Sequence, residues 1–428
     1  MNTREAALKI LLSIEKDSSY SDLIQKEIMR DMDLRNRHFV SALVYSVLEH
    51  KLTIDYIIDG FLTKRNKDKT VRVILRIGCA QILFMDVPDS AAVNETVKLM
   101  NSTGKKALKG FVNAVLRKVC SVNQEDIRLP DESSEPDKYL SVKYSYPVWI
   151  VSMLKKQYGE QCAREILSYK RSDRHGICVR VTSDTCSIRS TVTGNAVYHN
   201  NAVYIEGSDI DNNPDYISGS ITPQSEASMF CVEAAGIIKG SSVLDLCAAP
   251  GGKSAYAYEF SGTRITACDI HEHRLEVMRK NFERLGIEYE AVQNDGCVLN
   301  TDFIDRFDYV LVDAPCSSLG LMYRKPELRY SKSIADLNAI AAVQSSILDN
   351  ASKYVRPGGI LVYSTCTVNK AENEYQIKAF LKEHSNFSGS GFTDSTLKRL
   401  AGKDEFQIQL LPHIYDTDGF YIARLVKR

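Results

Sequence analysis

Hydrophobic residues recur at helical spacing in the first part of the chain. Ala7, Ile10 and Ile14 fall on one face of a helix, and the same spacing returns after residue 70 and again around residue 115. No proline precedes Pro88, so nothing interrupts these helices. The pattern predicts an all-α bundle, which we bound at residues 1–128.

Two changes of pattern follow the bundle. Residues 129–139 are polar and acidic and contain Pro130 and Pro136, a composition typical of a linker. Residues 140–235 combine a helical run near 148–170 with strand-like segments at 177–181 and 202–205. This stretch predicts a small α+β region.

From residue 236 onwards, short apolar runs alternate with helical ones. Continuous apolar strands between helices indicate a parallel sheet that is covered on both faces. The pattern predicts an α/β, Rossmann-like fold over residues 236–428, with ligands beyond the carboxyl ends of the strands. The clearest strands are at 243–246, 265–268, 309–312 and 360–363.

The composition narrows the class of protein. Of the 428 residues, 44% are hydrophobic and 25% are charged, an ordinary soluble profile. No run approaches the roughly 20 apolar residues of a membrane span, and the chain starts in a helical pattern without the apolar region of a signal peptide. The 11 cysteines include no C-x-x-C pair, and the histidines are scattered. We therefore expect a reduced cytoplasmic protein with no membrane contact and no metal.

Charge is unevenly distributed along the chain. The formal net charge is zero, but residues 1–128 hold 21 Lys and Arg against 16 Asp and Glu. A basic run within them is typical of a surface that contacts RNA phosphates, where each cation replaces condensed counterions. A solvated helix face is the alternative. The candidate RNA contacts in this run are Lys64, Arg65, Lys67 and Arg72.

The loop after the first predicted strand is built from small residues. It consists of Cys247, Ala248, Ala249, Pro250, Gly251, Gly252 and Lys253. Paired glycines let the backbone pass close to a ligand, and the next helix offers its free amide groups. A phosphate-binding P-loop is excluded, because it needs a glycine at the position of Cys247. The alternative is an ordinary tight turn.

Carboxylates follow the next two strands. Asp269 ends the second strand with Arg274 on the helix behind it, and Asp295 follows the third strand-like run. The first acid is placed to bind the hydroxyls of a ribose, and the second to accept a hydrogen bond from an adenine amino group. A helix cap and a turn aspartate are the alternatives. A nucleoside pocket without a phosphate site fits S-adenosylmethionine better than NAD or ATP.

Two cysteines follow strands that a doubly wound sheet places side by side. Cys316 comes three residues after Asp313, and Cys366 follows the next strand. A lone cysteine is usually a small buried hydrophobe, but two at equivalent positions beside an acid favour chemistry. A thiolate that adds to carbon 6 of cytosine makes carbon 5 nucleophilic enough to accept a methyl group, and Asp313 is placed to stabilise charge at N3. A base buried in a helix must be unstacked to reach such a site.

At these residues the sequence resembles the RNA cytosine-5 methyltransferase family (the NOL1/NOP2/Sun group) over roughly residues 140–428. The resemblance implies a mixed seven-stranded methyltransferase sheet with an RNA-recognition-like region before it. It also implies that Cys366 is the nucleophile, that Cys316 assists product release, and that S-adenosylmethionine is bound by Cys247–Lys253, Asp269, Asp295 and Asp313. The matching segments are Cys247–Lys253, Asp313–Cys316, Arg324–Glu327, Ser364–Thr367, Glu372–Glu374 and Thr417–Tyr421.

The helical part of the chain is similar to NusB-like RNA-binding domains. Together, the two parts resemble the family members that methylate bacterial 16S rRNA, either free or in an assembling small subunit. We therefore expect an RNA substrate and a monomeric enzyme. The matching segments are Leu34–Arg37, Ala42–Tyr45, Val93–Glu95 and Phe111–Arg117.

The sequence departs from the family pattern at two places. Ser318 replaces the usual glycine after Ser317, and the segment 224–228 lacks its usual acid, with Glu226 one position away. Two rival functions stay open: an enzyme that methylates an amine or a hydroxyl with the same cofactor, and an RNA-binding protein with an inert core. A covalent RNA adduct would exclude the first, and cofactor binding would exclude the second.

Overall fold

The chain forms two compact units. Unit 1 comprises Met1–Ser168 and Arg324–Lys332, and unit 2 comprises Tyr169–Tyr323 and Ser333–Arg428. The predicted boundaries at residues 128, 139 and 235 stay predictions. The structure, a computed structural model, describes residues 2–16, 21–62, 68–122, 127–170, 176–182, 188–207 and 209–428, without the side chains of 21–23.

Unit 1 is helical, as the spacing of its hydrophobic residues predicts. Its apolar stripes meet in one core, where Ile10, Leu43 and Ile74 are fully buried. Polar caps start the helices; for example, the Asp33 side chain accepts the backbone N–H of Asn36 at 2.9 Å. The described helices are α1 (Thr3–Ile14), α2 (Ser21–Ile28), α3 (Leu34–Glu49), α4 (Lys51–Gly60), α5 (Lys69–Phe84), α6 (Asp89–Lys98), α7 (Lys109–Val119), α8 (Pro136–Tyr144), α9 (Val148–Tyr158) and α10 (Glu160–Ser168).

Helix α8 begins inside the stretch predicted as a linker. Pro136 stands in its first turn, where a fixed φ is pre-organised for a helix and the missing N–H leaves no bond unmade. Because α8 to α10 group with the earlier helices, the compact helical unit extends to Ser168.

Arg72 and Arg76 lie on the buried side of α5. Asp55 accepts hydrogen bonds from Nε of each arginine at 2.8 Å, and from Nη2 of Arg76 at 2.8 Å. Arg72 also pairs with Asp59, and Arg76 with Glu15. Burial alone would raise the pKa of Asp55, but the two guanidinium groups hold it below its usual value. We call these five residues the arginine cluster.

The predicted RNA contact at Arg72 is wrong. Its side chain is only 8% exposed, and its guanidinium group is already bonded to Asp55, Asp59 and the carbonyl of Asp55. Carboxylates on α4 neutralise the charge inside the bundle, so no phosphate is needed there. Lys64, Arg65 and Lys67 lie outside the described residues, and their RNA contact stays a prediction.

Unit 2 begins with a small antiparallel sheet. Its strands are β1 (Ile177–Val181), β2 (Val192–Asn195), β3 (Ala202–Ile205) and β4 (Ile221–Pro223), with helices α11 (Pro214–Ile217) and α12 (Glu226–Glu233). The order in the sheet is β2–β3–β1–β4. The strands predicted at 177–181 and 202–205 are therefore confirmed as β1 and β3.

The larger sheet of unit 2 follows. Its elements are β5 (Val243–Asp245), α13 (Gly252–Ser261), β6 (Ile265–Asp269), α14 (Glu272–Leu285), β7 (Tyr289–Gln293), β8 (Phe307–Asp313), α15 (Ile334–Tyr354), β9 (Val355–Thr365), α16 (Glu374–Glu383), β10 (Phe387–Gly389), α17 (Ser395–Ala401), β11 (Gln407–Leu410), α18 (Pro412–Tyr415) and β12 (Phe420–Lys427). Within the described chain, the order is β10–β12–β9–β8–β5–β6–β7, and β11 pairs with β12 as an eighth strand. Strands β5 to β9 are parallel and β12 is antiparallel, which confirms the predicted mixed methyltransferase sheet. The sheet has eight strands where seven were predicted, because β11 adds to β12.

The sheet is buried on both faces, so only the ends of its strands are open to a ligand. Leu311 of β8 packs in one apolar cluster, whereas Val310 and Val312 pack in another. Asp313 of β8 pairs in register with Ser364 of β9, which brings the loops after these two strands together. In the part of the chain that the structure describes, no helix has the length and hydropathy required to cross a membrane.

Candidate active site

The loop between β5 and α13 is tied tightly to α14. Gly251 has a φ of 100°, and a Cβ atom there would lie 2.8 Å from the ring of Phe282 and 2.9 Å from Met278. Arg274 donates from Nη2 to the carbonyl of Ala249 at 2.6 Å. Only glycine combines this conformation with this close approach. The predicted small-residue loop is therefore a rigid turn at the end of β5.

Two buried polar atoms near the carboxyl ends of β5 and β7 have no hydrogen-bond partner among the described residues. Asp245 ends β5 and is 1% exposed; its Oδ2 accepts a bond from Ser254 Oγ at 2.7 Å, but its Oδ1 has no partner among the described residues. Burial raises the pKa of Asp245 to about 6. Nδ2 of Asn294, next to Asp295, is likewise buried and unpaired within the described chain. An unmade buried bond costs free energy, so these atoms suit a polar ligand.

The two acids predicted to bind a nucleoside differ in their surroundings. Asp269 is 3% exposed, and it accepts bonds from Arg274 Nη1 at 2.8 Å and from the backbone N–H of His271 at 3.0 Å. Asp295 is exposed, and its Oδ1 accepts the N–H of Cys297 at 2.9 Å, a turn aspartate. Both lie at the carboxyl ends of their strands, β6 and β7.

Asp313 and Lys253 form an ion pair at the end of β8. Lys253 Nζ lies 2.6 Å from Asp313 Oδ2, and Ser364 Oγ donates to Asp313 Oδ1 at 3.0 Å. Burial alone would lower the pKa of Lys253, but the charge of Asp313 raises it above its usual value. The side chain of Asp313 is 28% exposed, so its carboxylate keeps room for another hydrogen bond.

The two cysteines predicted from the strand ends meet. The Sγ atoms of Cys316 and Cys366 are 3.2 Å apart. The hydrogen bond to Cys366, and burial after it, raise the pKa of Cys316 well above its usual value. The same hydrogen bond lowers the pKa of Cys366 in spite of burial. The two pKa shifts have opposite directions, so the pair is asymmetric, and Cys366 is the thiol with the greater thiolate character.

The first departure from the family pattern is Ser318, which stands where the family usually has glycine. Its φ of 58° is in the left-handed region, which glycine adopts without strain and serine at a cost of about 1 kcal/mol. Its Oγ lies 3.4 Å from Sγ of Cys366 and helps to lower the pKa of that thiol. The serine thus changes the surroundings of the candidate nucleophile.

The second departure is in the segment 224–228, where Glu226 stands one position away from the usual acid. Its carboxylate accepts the backbone N–H groups of Val197 and Tyr198 at 3.0 and 2.6 Å, and it contacts His199 at 3.3 Å. On its other side, His199 contacts Glu233 at 3.1 Å. This acid has a structural role, holding the 197–199 turn against α12.

The structure brings together most residues that the sequence singles out, and it adds others. Sequence reasoning missed Asp245 and Ser364; an acid inside the apolar run 243–246 was the available signal for Asp245. No group of His, Cys, Asp and Glu able to hold a metal ion occurs among the described residues. The doubly wound sheet, its glycine turn and its acid-bearing strand ends define the fold of the S-adenosylmethionine-dependent methyltransferase class.

Comparison with known proteins also indicates a methyltransferase. The family described as 16S rRNA methyltransferase RsmB/F matches residues 237–426, and the NusB family matches residues 1–121. The probable ribosomal RNA small subunit methyltransferase B of Bacillus subtilis (strain 168) is 32% identical, over 100% of this chain and 99% of its own. The ribosomal RNA small subunit methyltransferase B of Enterobacter sp. (strain 638) is 30% identical, over 99% and 98%. The crystal structure of PH0851 shares the fold, with a TM-score of 0.80 at 23% identity over 99% of this chain and 98% of that one.

The chain belongs to the RsmB/F family of 16S rRNA methyltransferases, and it carries a NusB-family domain at its N-terminus.

Proposed function

We propose that this protein transfers a methyl group from S-adenosylmethionine to carbon 5 of a cytosine in 16S rRNA, through a covalent bond between Cys366 and carbon 6. The observation that carries the proposal is the pair of thiols 3.2 Å apart, on neighbouring strand ends beside Asp313. A methyltransferase acting on an amine or a hydroxyl has no use for such a pair. The relatives' names supply the small-subunit rRNA substrate.

The residues around the β5 turn fit the cofactor. The turn 247–253 lets the backbone approach a ligand closely, and Asp269 and Asp295 lie at the next two strand ends. Oδ1 of Asp245, which has no partner among the described residues, offers a buried acceptor. Arg274 holds both Asp269 and the turn. When bound, S-adenosylmethionine supplies the methyl group that carbon 5 accepts.

The chain's own residues carry out addition and elimination. The thiolate of Cys366 gives its electron pair to carbon 6, the electrons of the 5,6 double bond form a 4,5 double bond, and the π electrons between carbon 4 and N3 move to N3. N3 takes up the proton that leaves the Cys366 thiol, and the carboxylate of Asp313, paired with the ammonium group of Lys253, accepts a hydrogen bond from the resulting N3–H. After methylation a base removes the proton from carbon 5, the double bond re-forms, and Cys366 leaves with its electron pair. The Cys316 thiol, in contact with that sulfur, assists the departure by stabilising the leaving thiolate.

Purified protein, labelled S-adenosylmethionine and a 16S rRNA transcript test the proposal. We expect 5-methylcytosine from the wild type, none from Cys366→Ala, and a denaturant-resistant protein–RNA adduct from Cys316→Ala. Cys162→Ala, on α10 of unit 1, is the matched control and should behave as the wild type. Wild-type activity in Cys366→Ala would overturn the nucleophile assignment and favour a non-covalent methyltransferase.

A further inference from the structure

A buried carboxylate, Glu372, lies between the two loops that carry the cysteines. Its side chain is 0% exposed. Oε1 accepts hydrogen bonds from Ser317 Oγ at 2.6 Å and Asn369 Nδ2 at 3.0 Å, and Oε2 accepts them from Ser317 N at 2.8 Å and Gln344 Nε2 at 3.1 Å. None of the lysines and arginines that the structure describes forms a salt bridge with it. Four donors therefore compensate for the burial of this group.

These bonds hold the backbone on both sides of Cys316. Ser317, which follows it, is bonded to the carboxylate through its backbone N–H and its hydroxyl. The carbonyl of Pro315, which precedes it, accepts a bond at 2.9 Å from the same glutamine that contacts the carboxylate. The Ser317 hydroxyl also lies 2.8 Å from Oγ1 of Thr367, the residue after Cys366. One network thus fixes the distance between the loops.

We propose that Glu372 is a positioning residue for Cys316. By holding the backbone on both sides of Cys316, it keeps that thiol against the sulfur of Cys366 and so sets the rate at which Cys366 leaves the methylated base. The inference rests on the proposed function, in which Cys316 assists this departure. The negative charge of Glu372 acts in the same direction, because it adds to the hydrogen bond with Cys366 and to burial in raising the pKa of Cys316.

Glu372→Gln tests this role with little change of shape. In one orientation the new NH₂ group faces the donors Ser317 N–H and Gln344 Nε2, and in the other it faces the donor Asn369 Nδ2, so the network must shift either way. We expect the ratio of denaturant-resistant adduct to released 5-methylcytosine to rise about tenfold or more in a single turnover, since small displacements of reacting groups have effects of this size. The affinity for S-adenosylmethionine should stay within about twofold, as no hydrogen bond of Glu372 reaches the described 247–253 turn.

Glu374→Gln is the matched control. It makes the same chemical change two residues along the chain, where the side chain forms a surface ion pair with Lys370 at 3.3 Å. It should keep the wild-type ratio. Ser317→Ala removes one of the four bonds to Glu372 and should give a smaller rise in adduct. If Glu372→Gln fails to fold, Ser317→Ala decides the question.

The outcomes separate the inference from the function on which it rests. A folded Glu372→Gln variant with the wild-type ratio overturns the inference, and so does slower methyl transfer without adduct, because the carboxylate then serves Cys366 or the fold alone. If the wild type makes no 5-methylcytosine and Cys366→Ala changes nothing, the proposed function itself has failed.

Discussion

The carboxylates of Asp55 and Asp313 both bind cations, but they differ in how many of their hydrogen-bond acceptor sites are filled. In the arginine cluster of unit 1, Asp55 accepts three hydrogen bonds from guanidinium groups, and its side chain is 12% exposed. In unit 2, Asp313 accepts one bond from Lys253 and one from Ser364, and it is 28% exposed. A carboxylate has about four lone-pair sites. With three of these sites filled inside the bundle, the first group is close to saturation, whereas the second has two sites filled and keeps acceptor capacity on its exposed side.

In the proposed function, the difference separates a structural use of a cation–carboxylate pair from a chemical one. A saturated cluster fixes the angle between helices and offers a ligand nothing. A pair whose carboxylate has open acceptor sites can keep its geometry and still accept a hydrogen bond from a reacting group. The predictions below test this distinction, from the largest expected effect to the smallest.

Removing the central charge of the saturated cluster should be the most destabilising of these changes. Asp55→Asn leaves two buried guanidinium groups short of a carboxylate, and we expect the free energy of unfolding to fall by about 3–5 kcal/mol. Urea unfolding followed by circular dichroism measures it. Asp59→Asn is the control: its side chain is 37% exposed and pairs with Arg72, so its loss should cost below about 1 kcal/mol. Equal costs for the two variants would contradict the distinction.

Substitution in the Asp313–Lys253 pair should lower activity more than stability. In the proposed function, Asp313→Asn removes the charge that meets the N3–H group, and we expect methyl transfer to fall by about 10²–10³-fold. The free energy of unfolding should fall by less than in Asp55→Asn, because only one cation, Lys253, loses its carboxylate. Single-turnover rates with labelled cofactor measure the first quantity. Asp308→Asn, near the start of the same strand, is bonded to Ser242 and Arg356 and should leave the rate unchanged. A large loss of stability with a normal rate would make Asp313 a structural residue.

His199, whose ring contacts the carboxylates of Glu226 and Glu233, tests the distinction through the pH dependence of the free energy of unfolding. Burial lowers its pKa, but Glu226 and Glu233 outweigh burial and raise the pKa from 6.5 to about 9. Because the folded pKa is the higher one, the stabilisation is complete below pH 6.5 and is lost as the pH rises through 9. The shift corresponds to about 3 kcal/mol. Urea unfolding between these pH values should show the decline in the wild type and not in His199→Gln; the same slope in both would assign it to other groups.

The sequence was sufficient to predict which candidate residues meet, because a parallel sheet leaves only its strand ends open. Cys316, Cys366 and Asp313 follow β8 and β9, and the register of those strands brings them together whatever the details of the loops. Alternation of apolar runs and helices was likewise enough to predict the sheet. The turn at Gly251 was recognisable for the same reason, since only glycine permits its backbone.

Contacts between distant residues were not predictable in this way. Helical spacing shows that one face of α5 is buried, but not that Asp55, 17 residues away, turns Arg72 inward as part of that face. The bonds of Glu372 to Ser317, 55 residues away, depend on side-chain geometry that no local pattern encodes. The left-handed backbone of Ser318 was equally hidden, because serine gives no signal of that conformation.

The smallest effect concerns the basic run that contains Arg72. If Lys64 and Lys67 contact RNA phosphates, each change to Ala should reduce the slope of log affinity against log salt by about 0.7–0.9, because one fewer counterion is released. Arg72→Gln should leave the slope unchanged, since Asp55 and Asp59 already neutralise that guanidinium group. Fluorescence anisotropy with a labelled 16S rRNA fragment across a salt series measures all three, on protein shown to be folded. A reduced slope for Arg72→Gln would mean that the guanidinium group of Arg72 contacts RNA phosphates, and the arginine cluster would then have a binding role.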